Sequence, residues 1–333
     1  MKKIISFVLI SALLIAFAGC GRVEPTVFTF EGTEVSMKEF NIFYMQQIAA
    51  AEQSLGEEAA KEYWETEAED GKTNLDVLKE TAYNELLNLY VTAKMAEKSG
   101  FTYDSEVLQF ASSIKNQMTG GSTETFLNLC KTDSVSLDRV ARMIAIREKM
   151  NQLLISDGVI DLSEPSLKNH FENKYFKAHH ILFTTVDSAT NEPLSEEEIA
   201  SKKAKAEEAL KKVKAGTNFI TYANEVSEDP GKEQSPEGYV FGEGEMVKEF
   251  EDTVKGLEIN GISDIVETSY GYHIIKRLPL SYEKDVEAVG GADAFYQTAA
   301  SDFITDYINA NVGEWKKEFN IVENKAVVDA LKL

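Results

Sequence analysis

Histidine and cysteine are the residues of this chain best suited to catalysis or metal binding, and both are scarce. Two cysteines cannot build a disulfide scaffold or a cysteine-based metal site, and four histidines leave little material for a metal enzyme. The segment FGEGE at 241–245 has a G-x-G pair without a third glycine, so it does not predict a dinucleotide site. We therefore expect no metal and no cofactor. The scarce residues are His170, His179, His180, His273, Cys20 and Cys130.

The strongly negative net charge of the chain argues against one class of binding partner, nucleic acids. The chain has 34 basic and 56 acidic residues, for a net charge of −22. Such a chain repels a polyphosphate backbone, so no nucleic-acid partner is expected. With 333 residues, of which 43% are hydrophobic, it has the length of about two domains and enough apolar material for a core.

The N-terminus predicts a secretory leader. Two lysines precede an apolar run at 4–18, which is followed by Gly19 and Cys20. A membrane span needs about 20 apolar residues, so a signal peptide at 1–19 is favoured over a permanent helix. The sequence FAGC resembles the bacterial lipobox, which implies that Cys20 is lipidated and that 20–27 form a tether. An ordinary signal peptide with a chance cysteine is the alternative.

Proline and glycine divide the mature chain. Proline is absent from 26–164 and again after Pro279. The segment 28–174 is predicted to open with a strand and a turn and then to be helical. Its best helix starts at Asn74, because apolar residues recur there at steps of three and four. Trp64 lies among acidic residues and is predicted to be exposed.

The segment from 175 to 279 mixes element types. A Ser-Glu-Glu-Glu capping box at 195–198 opens a helix, and the overall order predicts a small α+β domain. The tail at 280–333 is predicted to be helical again. Its aromatic residues exceed what a lone helix can bury, so we expect it to complete the core of the first segment. Strands are predicted at 178–185, 262–268 and 272–278, and further helices at 218–226 and 246–254.

Four motifs in this middle segment resemble the parvulin family of peptidyl-prolyl isomerases in order and spacing. They are KAHHILF (177–183), FITYANEVSEDPG (219–231), FGEGEMVKEFE (241–251) and VETSYGYHIIK (266–276). The resemblance implies an antiparallel sheet with helices over 175–279, inserted between the two parts of a mainly helical chaperone lobe. The lipobox and the SurA-like opening around 28–43 are similar in pattern to the PrsA-type foldase lipoproteins.

The resemblance also implies the site residues. His180 and His273 stand at the two active-site histidines, and Asp229 takes a position that holds Asp or Cys in the family. His170, His179 and Cys130 are interpreted as structural. The residues implied to bind substrate are Met246 and Phe250, which receive the proline ring, and Thr268 and Tyr270, which flank the site on the returning strand.

One motif departs from the family pattern. Parvulins commonly have a Gly-Gly-Asp-Leu-Gly-like run before the FGEGEM motif, and this chain has SPEGYV at 235–240. Tyr239 and Val240 are therefore the two candidates for one apolar wall of the pocket. The loop at 184–198 contains no Lys or Arg, so no preference for phosphorylated substrates is expected.

The activity implied by the resemblance is cis–trans isomerisation of X–Pro bonds in exported proteins. Rotation about such a bond must cross about 18–20 kcal/mol, but no bond breaks, so neither a nucleophile nor a metal is required. An apolar grip on the proline ring is one requirement. Two imidazoles and a carboxylate can supply the other, a hydrogen-bond network that tunes polarity around the carbonyl group.

Other functions stay open at this stage. The helical lobe could act as a non-catalytic holdase for unfolded exported proteins, and a lipoprotein adhesin or solute receptor has less support. The expected location is the extracytoplasmic face of the cell membrane, anchored through Cys20. A Gram-positive-type surface is favoured over the outer membrane of a two-membrane cell. Whether the chain forms a homodimer is not determined by the sequence.

Overall fold

The computed structural model describes residues 24–68, 71–187, 190 and 192–332. The predicted signal peptide and Cys20 lie outside these residues. The predicted tether, 20–27, overlaps the folded part of the chain, because the first strand already begins at Thr26. Val27 and Phe28 are fully buried, so the ordered sheet starts two residues before the expected boundary. No helix in the described ranges is long and apolar enough to cross a membrane.

The chain divides into two compact units. The first, here called the helical unit, contains the described residues up to Met150 and those from Asn311 onward. The second, here called the mixed unit, is Asn151–Ala310. The helical unit contains β1 (Thr26–Phe30), β2 (Thr33–Ser36), α1 (Met37–Leu55), α2 (Glu57–Glu65), α3 (Asn74–Lys98), α4 (Ser105–Met118), α5 (Thr123–Leu129), most of α6 (Ser134–Ser156), β7 (Ile321–Glu323) and α13 (Lys325–Asp329).

Local capping signals set the helices of the helical unit. Ser36 and Glu39 form a capping box at the start of α1, and Thr73 and Asp76 form one at the start of α3. The helix predicted to start at Asn74 is therefore confirmed. β1 is the central strand of a three-stranded antiparallel sheet in the order β2-β1-β7.

The predicted exposure of Trp64 is wrong. Its side chain is only 7% exposed, and Ala60, one turn earlier in α2, is buried as well. Residues four apart share one face of a helix, and this face of α2 turns inward while the glutamates on the other faces stay exposed. The acidic neighbours of Trp64 therefore lie on the exposed faces of α2, whereas the indole lies on the buried face.

The mixed unit is an α+β domain, as predicted. Its four-stranded sheet is antiparallel throughout and has the order β4-β3-β6-β5. The elements are α7 (Glu164–Lys174), β3 (Tyr175–Thr184), α8 (Glu196–Lys214), α9 (Phe219–Val226), β4 (Tyr239–Gly242), α10 (Lys248–Gly256), β5 (Ile262–Thr268), β6 (Gly271–Leu278), α11 (Tyr282–Asp285), a 3-10 turn (Val286–Val289) and most of α12 (Gly291–Lys316).

The two faces of this sheet pack against different helices. Side chains alternate between faces along a strand, so β3 and β6 supply both layers. On one face, Ile181 and Ile274 pack with α8 and α9. On the other, Ala178 and Ile275 pack with Phe250 of α10. The candidate site is on this second face.

The predicted assignment of 151–174 and 280–310 to the helical lobe is wrong. Residues 151–174 and 280–310 belong to the mixed unit and not to the helical lobe. The cause is an aromatic cluster in which Phe295 of α12 contacts Phe171 of α7, Tyr175 and Tyr282. The tail therefore buries its first aromatic residues against the neighbours of the parvulin-like segment.

Candidate active site

Strand β3 places two adjacent histidines on opposite faces of the sheet. His180 lies directly opposite Ile275 of β6 and shares its face. His179 points to the other face, where its Nε2 lies 3.2 Å from Oδ1 of Asn224. The structure thus separates the two: only His180 lies among the predicted site residues.

Strand β6 brings the second predicted histidine to the same face. His273 is opposite Leu182, two residues along from His180. The centroids of the two imidazole rings are 5.2 Å apart, although the residues are 93 positions apart in sequence. The antiparallel register of β3 and β6 is therefore what joins the KAHHILF and GYHIIK motifs.

Burial keeps both imidazoles neutral. Burial in the sheet face lowers the pKa of His180 to about 4, and the nearby Asp229 opposes this shift without cancelling it. Burial also lowers the pKa of His273 to about 3, and the adjacent His180 adds to that shift. Within the described part of the chain, neither Nδ1 atom has a hydrogen-bond partner. At neutral pH the site therefore presents two uncharged rings.

Asp229 lies beside His180, near the start of the loop that joins α9 to β4. Its Oδ1 accepts a hydrogen bond from the backbone N–H of Gly231 at 3.0 Å. Its Oδ2 accepts one from the hydroxyl of Tyr239 at 2.5 Å and lies 3.6 Å from Nε2 of His180. A separation of 3.6 Å is too long for a hydrogen bond, so the carboxylate and the imidazole are neighbours without being bonded.

Helix α10 supplies the apolar side of the site. Phe250 is 3% exposed, and its ring meets those of His180 and His273 edge-on at centroid distances of 5.3 and 5.8 Å. Met246 precedes the helix and packs against the same cluster. Both predicted proline-binding residues therefore lie with the two histidines.

The hairpin between β5 and β6 positions the remaining predicted residues. The hydroxyl of Thr268 is 2.9 Å from Nε2 of His273 and also accepts a hydrogen bond from the backbone N–H of Tyr270 at 3.1 Å. Tyr270 itself is 53% exposed. Thr268 thus orients an imidazole, while Tyr270 stands at the rim.

The structure decides between Tyr239 and Val240. Tyr239 stacks on His180 at a centroid distance of 5.7 Å, whereas Val240 packs against the cluster around Phe171. Tyr239 lies opposite Ala178 in the β3–β4 pairing, which gives it the same face as His180. Sequence alternation could have supported this choice only if the register of β4 had been known.

The other predicted structural residues lie elsewhere. His170 bonds Asp302 at 2.8 Å between α7 and α12 of the mixed unit. Cys130 is fully buried in the helical unit, where burial raises the pKa of its thiol to about 11. Neither residue is part of the candidate site.

The depressed histidine pKa values predict a pH-dependent stability of the mixed unit. In the unfolded chain both histidines bind a proton near pH 6.5, but in the folded chain they do so only near pH 3–4. Their contribution is therefore complete above pH 6.5 and is lost as the pH falls. We expect a loss on the order of 1–2 kcal/mol per histidine between pH 7 and pH 5.

Urea unfolding at the two pH values, followed by NMR signals of the mixed unit, measures this loss. His180→Gln and His273→Gln should each reduce it, because glutamine does not titrate. The control is His170→Gln, which changes a histidine outside the site. Equal losses in the parent and in the double variant at 180 and 273 would contradict the expectation.

Comparison with known families agrees with this geometry. Residues 164–278 match the PPIC-type PPIase domain, which includes every residue of the site described above. These residues therefore form a parvulin-type peptidyl-prolyl isomerase domain. The resemblance inferred from the four motifs is confirmed.

The chain is also similar to several proteins named foldase protein PrsA. The chain is 30% identical to foldase protein PrsA 4 of Bacillus cereus over 202 residues, covering 60% of the chain and 62% of that protein. It is 31% identical to PrsA 3 of the same species over 198 residues, covering 54% and 64%. The chain thus spans less than two thirds of these two relatives. Foldase protein PrsA of Clostridium perfringens aligns with 100% of the chain at 23% identity, covering 98% of that protein.

Two solved structures are similar to this chain, with low TM-scores. The crystal structure of PrsA from Bacillus cereus covers 76% of this chain and 90% of its own, with 22% identity and a TM-score of 0.36. The solution structure of the parvulin of Nitrosopumilus maritimus covers 32% and 97%, with 30% identity and a TM-score of 0.23.

Proposed function

We propose that this protein is a membrane-anchored foldase that catalyses cis–trans isomerisation of X–Pro bonds in exported proteins. The observation that carries the proposal is one cluster on the second face of the mixed unit's sheet. It joins two neutral imidazoles, a carboxylate and an apolar wall: His180, His273, Asp229 and Phe250.

The chemistry of prolyl rotation fits this cluster. In a planar amide the nitrogen lone pair is delocalised into the carbonyl group, and rotation requires that this delocalisation be lost. The twisted amide is less polar than the planar one, so an apolar site favours it. In this proposal Phe250 and Met246 hold the ring of the substrate proline, and Tyr270 covers the substrate from the rim.

The polar residues act on the other end of the amide. His180, His273 and Asp229 form the network around the carbonyl oxygen, and the hydroxyl of Thr268 orients His273 within it. Since no bond is broken, the network needs to transfer no proton, and neutral imidazoles suffice. Hydrogen-bond polarity and position, not acid–base strength, are the properties that the site supplies.

An exchange NMR or protease-coupled assay on a short X–Pro peptide tests the isomerase. We expect the purified protein to raise the interconversion rate well above the uncatalysed rate. An unphosphorylated Ser-Pro peptide should serve at least as well as its phosphorylated form, because the loop at 184–198 carries no cation. An interconversion rate equal to the uncatalysed one would refute the proposal.

A holdase role for the helical unit is the second candidate. Its described surface exposes large apolar side chains, among them Val135 at 68% and Leu55 at 48%. Isolated exposed apolar residues are common, but here they belong to the unit that has no isomerase domain. A double variant with alanine at His180 and His273 separates the roles: a holdase still suppresses aggregation of an unfolded protein, whereas a pure isomerase does not.

The proposed anchor gives a further prediction. Cys20→Ser is expected to abolish lipidation, because only the cysteine thiol can accept the lipid at the Ala18-Gly19-Cys20 site. Metabolic labelling with a fatty acid measures it, and Cys130→Ser is the matched control that should keep the label. Equal labelling of Cys20→Ser and the parent would exclude the lipoprotein interpretation and the location at the extracytoplasmic membrane face that depends on it.

A further inference from the structure

Tyr239 contacts two of the three proposed catalytic side chains, and the mechanism above gives it no role. Its hydroxyl donates to Oδ2 of Asp229 at 2.5 Å. Its ring lies at 23° to the imidazole of His180, with the centroids 5.7 Å apart. It stands in the stretch where the sequence departs from the usual parvulin pattern, so the family resemblance offers it only as a candidate for an apolar wall and gives its hydroxyl no role.

The fold provides a place for this hydroxyl. Pairing with Ala178 turns the side chain of Tyr239 toward the face of His180. The loop opposite it bends so that Gly231 donates its N–H to the other oxygen of Asp229. A methyl group on Gly231 would overlap the Tyr239 hydroxyl, so the absence of a side chain at this position leaves the space that the hydroxyl fills.

We propose that Tyr239 is a positioning residue of the isomerase site, which fixes Asp229 through its hydroxyl and the imidazole of His180 through its ring. The inference rests on the proposed function, because it names what holds two of its catalytic groups. With Gly231 bonded to one carboxylate oxygen and Tyr239 to the other, Asp229 has a fixed orientation. The second oxygen stays 3.6 Å from Nε2 of His180 and forms no hydrogen bond with it.

This arrangement controls the charge of the imidazole. The titratable side chains facing His180 within the described residues are Asp229, Tyr239 and His273, and His179 is its neighbour in the strand. Only Asp229 favours the protonated ring. A carboxylate that already accepts two hydrogen bonds attracts that proton less, so Tyr239 helps to keep His180 neutral. Burial, together with the same hydrogen bond, raises the pKa of Tyr239.

The substitution Tyr239→Phe in the full chain tests the proposal, because it keeps the ring and removes the hydroxyl. NMR titration should show that the pKa of His180 rises by about one unit or more, since Asp229 is then free to bond the imidazolium. The kcat/KM for an X–Pro peptide should fall about tenfold, as expected for losing a hydrogen bond to a charged group. The melting temperature should change little.

Two further variants complete the experiment. Gly231→Ala should reproduce both changes by displacing the hydroxyl, and combining it with Tyr239→Phe should add little. Tyr222→Phe is the control, because Tyr222 packs on the opposite face of the sheet. It should leave the pKa and the kcat/KM unchanged.

The readouts separate this inference from the proposed function. An unchanged His180 pKa in Tyr239→Phe overturns the positioning role, whether or not the parent is active. A raised pKa with an unchanged kcat/KM in an active parent overturns it as well. A parent without isomerase activity refutes the proposed function, and the His180 titration then still decides whether Tyr239 fixes Asp229.

Discussion

Alanine at position 250 is expected to lower the kcat/KM for an X–Pro peptide by about 10–100-fold. The ring of Phe250 contacts both imidazoles edge-on, and burying an aromatic side chain is worth about 1.5–3 kcal/mol. His180→Ala and His273→Ala should also lower kcat/KM, because each removes part of the polar network. A protease-coupled assay at pH 7.5 measures all three.

Folding must be separated from catalysis in this test. Phe250 belongs to a buried cluster, so the alanine variant could lose stability as well as its grip on the substrate. Phe250→Leu keeps most of the volume and should retain the fold with an intermediate loss of activity. Phe303→Ala, in the cluster around Phe171, is the matched control outside the site. If all three site variants match an active parent, the assigned roles are wrong.

Gly271→Ala should unfold the mixed unit or nearly so. Gly271 opens β6 with φ +140°, and an added Cβ would overlap the carbonyl oxygen of Phe183 in the neighbouring strand. Backbone strain and overpacking together predict a loss of roughly 2–5 kcal/mol. Because Thr268 and His273 lie on either side of this turn, isomerase activity should disappear with the fold.

The control for this substitution is Gly256→Ala. Gly256 ends α10 in the same unit, and an added Cβ there would meet no atom within 4 Å. Its unfolding free energy should therefore stay within about 1 kcal/mol of that of the parent. Urea unfolding followed by NMR signals of β3 and β6 compares the two variants. A Gly271→Ala protein as stable as Gly256→Ala would show that the turn can relax.

Signals within a few residues of one another were readable from the sequence. The capping box at Ser195 and the helix start after Thr73 were both predicted, because their hydrogen bonds join residues three apart. The motif around His180 and the one around His273 were recognised in the same way. The resemblance implied that the two histidines lie in one site. Their relative positions follow from the pairing of β3 with β6.

The errors arose where distant segments compete for the same surface. Trp64 was predicted to be exposed from its acidic neighbours, but burial is decided by the face of α2 that packs inward. The prediction assigned 280–310 to the helical lobe, but these residues belong to the mixed unit, where Phe295 packs against Phe171, more than 120 positions earlier in the chain. The aromatic residues of the tail indicated that it packs against another part of the chain, but they did not indicate which part.

The sequence by itself determined the α+β class of the isomerase domain and the start of the helix at Asn74, since each depends on residue types at short, fixed spacing. The site residues remain predictions that the family resemblance implies. The tertiary structure decided the register of β4, which puts Tyr239 and not Val240 beside His180. It also decided the neutrality of the two histidines, because burial shifts their pKa values and burial depends on helices and strands far away in the chain.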